Sequence, residues 1–113
     1  MDRLAAAVTD RGMTVLARID HAAAAAKVGM ELRATEVLIF GNPKAGTPLM
    51  QMAQTMGIDL PLRALVWQDD NGKTLLAYNN PKWLARRHGA DADADRIGAM
   101  TTALAAVAEE ATA

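Results

Sequence analysis

The first third of the chain changes from a helical to a strand-like hydrophobic period. Apolar residues spaced three and four apart predict a helix over residues 2–11, ending at a glycine. Alternation predicts a strand over residues 13–20, and its apolar face would consist of Met13, Val15, Ala17 and Ile19. An alanine-rich helix over residues 20–28 follows. The unbroken apolar run of residues 36–40 then predicts a strand buried on both faces.

The segment after this strand is predicted to be a loop followed by a helix. Residues 41–46 combine glycine, asparagine and proline, which is typical of a loop. Thr47 followed by Pro48 predicts a helix start, with an N-cap and a proline in the first helical position. We expect this helix to run to about Met56.

A hairpin is predicted in the second half of the chain. Residues 62–68 and 74–78 have strand patterns, and the Asn-Gly dipeptide at 71–72 between them favours a tight two-residue turn. With that turn, Trp67 would lie opposite Leu76 in the paired strands.

Two helices complete the predicted fold. Asn80 and Pro81 begin a short helix that ends near Arg87. The last helix is amphipathic, with apolar residues at positions Ile97, Met100, Leu104, Val107 and Ala111. Residues 1–113 therefore predict one α+β domain in two layers, a mostly antiparallel four-stranded sheet with helices on one face.

Composition excludes several classes of function. The 113 residues carry a net charge of −1, so no basic field attracts nucleic acid or an anionic membrane surface. Neither cysteine nor serine occurs, which excludes disulfides, thiolate metal sites and serine or cysteine nucleophiles. No segment has the length of a membrane span or the pattern of a signal peptide, so we expect a cytoplasmic protein.

The loop over residues 41–46 and the helix start behind it form the best candidate site. Backbone N–H groups at a helix N-terminus, together with a lysine, can bind a small anion such as a phosphate or carboxylate. The residues concerned are Asn42, Pro43, Lys44, Gly46 and Thr47. The order of lysine and glycine is not that of a P-loop. A second interpretation stays open, in which these residues only satisfy turn geometry and cap the helix.

Other polar residues give weaker indications of chemistry. His21 follows Asp20, and together with Lys44 and Asp59 it would supply acid–base groups if the protein were an enzyme. We expect His88 to interact with the C-terminal dipole of its own helix. Two histidines without a third ligand at suitable spacing predict no metal site, and no cofactor is indicated. A non-catalytic module that binds a small ligand or a protein is the preferred hypothesis, and an enzyme is the alternative.

Six segments spread over the chain resemble one known family. They are IFGNPKAGTPLM (39–50), DLPL (59–62), YNNP (78–81), RIDHAA (18–23), GMELR (29–33) and LARRH (84–88). The family is the bacterial and archaeal domain of unknown function 302. The resemblance implies a β-α-β(4)-α fold similar to that of the TATA-binding protein, without DNA binding and without an assigned activity.

The resemblance also leads us to expect a homodimer. Family members usually begin with a strand before the first helix, whereas this chain begins inside that helix, so the strand is either cut off or not part of this member. A sheet without it leaves an edge whose backbone groups can pair with a second chain.

Overall fold

A four-stranded antiparallel sheet is the central element of the computed structural model, which describes residues 1–113. The strands are β1 (Thr14–Asp20), β2 (Thr35–Gly41), β3 (Leu62–Gln68) and β4 (Thr74–Tyr78), and they lie in that order across the sheet. The helices are α1 (Asp2–Asp10), α2 (His21–Lys27), α3 (Pro43–Met52), α4 (Pro81–Arg87) and α5 (Asp95–Thr112), with a 3₁₀ segment over Gln54–Ile58. None of the helices is long and apolar enough to span a membrane.

The hydrophobic core lies on one face of the sheet. Phe40 and Leu38 of β2 are completely buried there, and their register partners on β3 are Leu62 and Ala64. The helices contribute the remaining core side chains, which are Leu4, Ala7, Val8, Leu49, Leu84, Ala85, Ile97, Met100, Leu104 and Val107, and Met56 comes from the 3₁₀ segment. The predicted two-layer α+β fold with helices on one face is confirmed.

The opposite face of the sheet has no part in this core. Strand pairing places Val37 and Ile39 of β2 beside Leu65 and Arg63 of β3, and Trp67 follows on the same face. None of these side chains is fully buried, and none belongs to the core or packs against it. The prediction that residues 36–40 are buried on both faces is therefore wrong. We call this surface the open face; it consists of Ala17, Ile19, Thr35, Val37, Ile39, Arg63, Leu65, Trp67, Leu75 and Ala77.

A β-bulge interrupts the alternation in β1. Val15 pairs with Phe40, whereas Ala17 pairs with Ile39, so Leu16 is an extra residue in this strand. Because partners in register share a face, Val15 and Ala17 lie on opposite faces of the sheet. The predicted common face of residues 13, 15, 17 and 19 is wrong for this reason.

Helix α3 begins five residues before the predicted position. Asn42 is its N-cap, since its side-chain oxygen accepts a hydrogen bond from the Lys44 N–H at 2.9 Å, and Pro43 is the first helical residue. Pro48 therefore lies inside the helix, which ends at Met52. The prediction of a loop over 41–46 and of Thr47 as N-cap is therefore wrong. Asn42-Pro43 and Thr47-Pro48 are both typical helix starts, and the helix begins at the first of them.

The hairpin between β3 and β4 is present, but its register differs from the predicted one by one residue. Trp67 pairs with Leu75 rather than with Leu76. Only Gly72 has a positive φ, at +80°, whereas a two-residue Asn-Gly turn needs two such residues. The Asp69 N–H donates to the Lys73 carbonyl at 2.8 Å, which closes a three-residue loop.

Three of the predicted helix ends are confirmed. The Asp20 carboxylate accepts from the Ala23 N–H at 2.9 Å and begins α2. The side chain of Asn80 caps α4 in the same way, through the Lys82 N–H at 2.9 Å. Gly12 follows α1 with φ +76°, the left-handed conformation that ends a helix.

A charged cluster joins α1 to the sheet. The Arg18 guanidinium donates to Asp2 of α1 at 2.6 Å and to Glu36 of β2 at 2.7 Å. The hydrogen bond from Arg18 holds the pKa of the Asp2 carboxyl below its ordinary value of 3.8, and the positive charge adds to this effect. The hydrogen bonds that Arg18 donates to Glu36 and to Asp2 in turn raise its own pKa.

The Arg18 cluster predicts a specific dependence on pH. Because the pKa of Asp2 is lowered by folding, its contribution to stability is complete above pH 3.8 and is lost as the pH falls through the folded value. In Arg18→Gln we expect the Asp2 pKa to rise back toward 3.8, measured by NMR titration of the Asp2 side-chain carboxyl carbon. An unchanged pKa in this variant would show that Arg18 does not cause the shift.

Candidate ligand-binding cavity

A cavity of about 630 Å³ lies beside the N-terminal half of α3. Residues of β1 with its bulge, of α3 and of α5 line it. The chain entering β3 lines the rest of the cavity. Its larger apolar lining residues are Leu16, Met50, Leu60, Leu62, Met100 and Leu104. The volume lies within the range of about 300–1,000 Å³ that is usual for small-molecule sites.

Small side chains keep this cavity open. Ala45 and Gly46 face it from α3, and Ala99 and Ala103 face it from α5. A Cβ atom added at Gly46 would lie 3.9 Å from the nearest side-chain atom, the Leu60 Cδ1, so the backbone leaves room there. The space between α3 and α5 is therefore a consequence of residue size.

Few polar groups line the cavity, and only one of them is charged. Thr14, Asn42 and Thr47 contribute a hydroxyl or amide each, and Arg96 contributes a guanidinium from the first turn of α5. Arg96 forms no ion pair and no side-chain hydrogen bond within the protein.

The structure brings some of the predicted site residues together and separates the others. Asn42, Pro43, Gly46 and Thr47 line the cavity, whereas Lys44 does not, although it lies in the same helical turn. The N–H groups of that turn already have partners: the Lys44 N–H donates to the Asn42 side chain, and those of Ala45 and Gly46 donate to the Asn42 carbonyl at 2.9 Å. The first turn of α3 therefore offers no free N–H group to an anion.

Asp59 lies outside this cavity and contacts neither His21 nor Lys44. Its carboxylate accepts a hydrogen bond from Arg87 at 2.9 Å and a second, short one from His88 Nε2. The His88 side chain is only 8% exposed, and its Nδ1 lies 2.9 Å from the hydroxyl of Thr55. With Nε2–H donating to Asp59, Nδ1 is left to accept from the Thr55 hydroxyl. Residues 55, 59, 87 and 88 thus connect the 3₁₀ segment to the end of α4.

The connection between Asp59 and His88 was not predicted from the sequence. His88 lies at the C-terminus of its own helix as predicted, but its side chain has a distant partner that no local pattern indicated. The two residues are 29 positions apart, and no local pattern relates residues at that separation. His21, by contrast, is exposed at the start of α2 and forms no side-chain hydrogen bond.

The comparison with protein families agrees with the geometry of the fold. The family model described as "Domain of unknown function DUF302" matches residues 1–109 of the 113. The chain belongs to this family. A crystal structure of an uncharacterized conserved DUF302 protein from Bacillus stearothermophilus superimposes with a TM-score of 0.87 over 97% of this chain and 86% of that one. At 20% identity, this likeness shows the DUF302 fold and no more.

Curated relatives are similar to this chain over only part of their own length. "Fluoride-specific ion channel FluC 1" of Brucella suis biovar 1 (strain 1330) is 46% identical over 112 residues, which are 98% of this chain and 44% of the relative. "Fluoride-specific ion channel FluC 2" of Brucella melitensis biotype 1 is also 46% identical, over 42% of its length. This DUF302 chain therefore spans less than half of the relatives that it matches.

The contacts of His88 predict a measurable loss of stability when its ring is removed. His88→Ala deprives the largely buried Asp59 of one hydrogen-bond partner, and we expect the free energy of unfolding to fall by about 1–3 kcal/mol. His21→Ala is the matched control and should change it by less than about 0.5 kcal/mol, because His21 is exposed. Urea denaturation measures both, and equal unfolding midpoints would contradict the structural role of His88.

Proposed function

We propose that this DUF302 domain is a non-catalytic module that binds a small ligand in the cavity between α3 and α5. The observation that carries the proposal is the cavity itself, about 630 Å³ with an almost entirely apolar lining. Ligand sites are typically concave and apolar with a few polar groups that orient the ligand, and this cavity has that composition. Its placement beside residues 42–47 supports the site that the sequence indicated.

The proposed site uses only part of the predicted residue set. We place the ligand against Asn42, Pro43, Gly46 and Thr47, which line the cavity. Lys44 lies at its border, and His21 and Asp59 lie elsewhere. An enzyme that combines His21, Lys44 and Asp59 is not proposed, because Asp59 has Arg87 and His88 as its partners instead.

The curated relatives are named as fluoride channels, so we compared this cavity with what a fluoride site would need. A small, strongly hydrated anion needs several donors to replace its water. The N–H groups of Lys44, Ala45 and Gly46 are occupied, and most of the cavity wall is hydrocarbon. We therefore propose that the matched part of those relatives binds an apolar ligand of its own, separate from the fluoride for which they are named.

We also propose that the protein forms a homodimer, with the open face as the interface. This face carries eight apolar side chains from four adjacent strands and only one charged residue, Arg63. Apolar patches of this extent are uncommon on isolated small domains and are typical of interaction sites. Association through it would bury Leu65, which lies near its centre beside Val37, and Trp67 toward the hairpin end.

The cavity predicts that a larger side chain on α5 will block binding. In Ala103→Leu the added atoms occupy the space that the ligand needs, and we expect aminoanthracene, a neutral apolar fluorescent probe, to bind at least about ten-fold more weakly. Ala105→Leu makes the same change on the exposed side of α5 and should bind the probe as the parent protein does.

Circular dichroism on both leucine variants establishes that α5 is intact. Parent protein that binds no apolar probe, or equal probe affinity in the two folded variants, would contradict a ligand site in this cavity.

The open face predicts that one added charge will dissociate the dimer. In Leu65→Lys a buried ammonium in the interface would lose its water, so we expect the mass in solution to fall from twice the chain mass to the 12.0 kDa of one chain. Thr102→Lys adds the same charge on the exposed side of α5 and should leave the dimer unchanged. Sedimentation velocity at micromolar concentration measures the mass, and a parent protein of 12.0 kDa would contradict the proposal.

A further inference from the structure

We propose that the ligand of this cavity is a hydrophobic monoanion, an apolar body with one acidic group that is bound by Arg96. The inference rests on the proposed ligand-binding function and names the class of ligand. Its two parts come from two observations, the hydrocarbon lining of the cavity and the single charged side chain at its wall.

Arg96 is the group that selects for an acid. It lines the cavity from α5, and its guanidinium has no carboxylate partner in the protein, although Asp95 is its neighbour in sequence and Asp93 lies close before it. A guanidinium presents a planar set of donors that matches a carboxylate, and such charge-assisted pairs are stronger than neutral hydrogen bonds. An acidic group at the cavity wall would supply the counter-charge that the protein does not.

The rest of the lining indicates the chemistry of the remaining part of the ligand, to which its acidic group is attached. Leu60, Met100 and Leu104 offer only apolar side chains, and the polar groups of Thr14 and Thr47 in the same lining are neutral. An alkyl or aromatic body therefore gains from leaving water, whereas a second charge would be desolvated without a partner. A ligand with one negative charge and one apolar body therefore matches the single arginine and the apolar lining of the cavity.

Polyphosphates and nucleotides fit this cavity poorly. They carry several negative charges and are usually bound by free backbone N–H groups together with more than one cation. The first turn of α3 has no free N–H, and Lys44 lies outside the lining. Arg96 alone cannot balance such a ligand.

The test compares three ligands of equal length that differ in one group. Decanoate, decan-1-ol and decylamine are titrated into the protein by displacement of aminoanthracene at pH 7.5. We expect decanoate to bind most tightly. In Arg96→Gln the affinity for decanoate should fall roughly five- to twenty-fold, to that of the alcohol, while the alcohol binds unchanged.

Two further variants separate a local effect from one of total charge. Lys44→Gln removes a cation beside the cavity but outside its lining, and Arg3→Gln removes one from α1. Both should retain the preference for decanoate. If they lose it as Arg96→Gln does, or if Arg96→Gln keeps it, the role of Arg96 is refuted.

The outcomes distinguish this inference from the function on which it rests. If aminoanthracene itself does not bind, the ligand-binding function fails. If it binds but none of the three ligands displaces it, the function stands and the hydrophobic monoanion is refuted. If decan-1-ol binds as tightly as decanoate, the function stands and the preference for an acid is refuted.

One more measurement identifies the source of the acid. Co-sedimentation with phosphatidylcholine vesicles that contain oleate, lost in Arg96→Gln, identifies a membrane lipid as the source. Binding of free decanoate without co-sedimentation identifies a dissolved acid. Either result supports the monoanion, and failure of both to bind overturns it.

Discussion

Burial of one face of the sheet is the constraint on which the rest of the structure depends. Leu38 and Phe40 have no exposed surface, and they lie on β2, a central strand of the sheet. Helices α1 and α5 pack against each other over this face, and α4 packs against α5. These 113 residues, 25 of them alanine, place no second layer against the other face of the sheet. That face stays apolar and open as a result.

The cavity is the place where close packing stops. Protein interiors are normally filled to the density of organic crystals, and an unfilled volume loses the dispersion contacts of the atoms around it. Here Gly46, Ala99 and Ala103 stand where larger aliphatic residues would close the space between α3 and α5. The core beneath it, around Ile97 and Leu104, is well buried. The fold thus separates a packed part that gives stability from an unpacked part that leaves a cavity.

Local patterns predicted the parts of this fold that are determined locally. The period of the apolar residues predicted the strands, and the caps at Asp20 and Asn80 are where the sequence placed them. The start of α3 was missed because Asn42-Pro43 and Thr47-Pro48 carry the same local signal, and only tertiary structure decides between them. The family resemblance added the expected fold but no chemistry.

Features that depend on partners far away in the sequence were not predictable. The His88–Asp59 contact joins residues from two separate elements. The hairpin register is a local exception: the loop has three residues and a positive φ at Gly72 alone, which the Asn-Gly pair did not reveal. The sequence indicated residues 42–47 as a site, and the cavity lies beside them. Arg96 was not among the predicted site residues, because the sequence does not distinguish it from the other surface cations. Only the folded chain brings it into the same cavity lining as residues of α3.

The bulge at Leu16 has a consequence for how copies of this protein meet. An edge strand with regular hydrogen-bonding geometry is a template to which further strands can add without limit, as in fibres. In β1 the extra residue breaks the even spacing of N–H and C=O groups along the free edge. The irregular edge disfavours the addition of further strands and with it open-ended growth of the sheet. A single inserted residue thus protects this edge against aggregation.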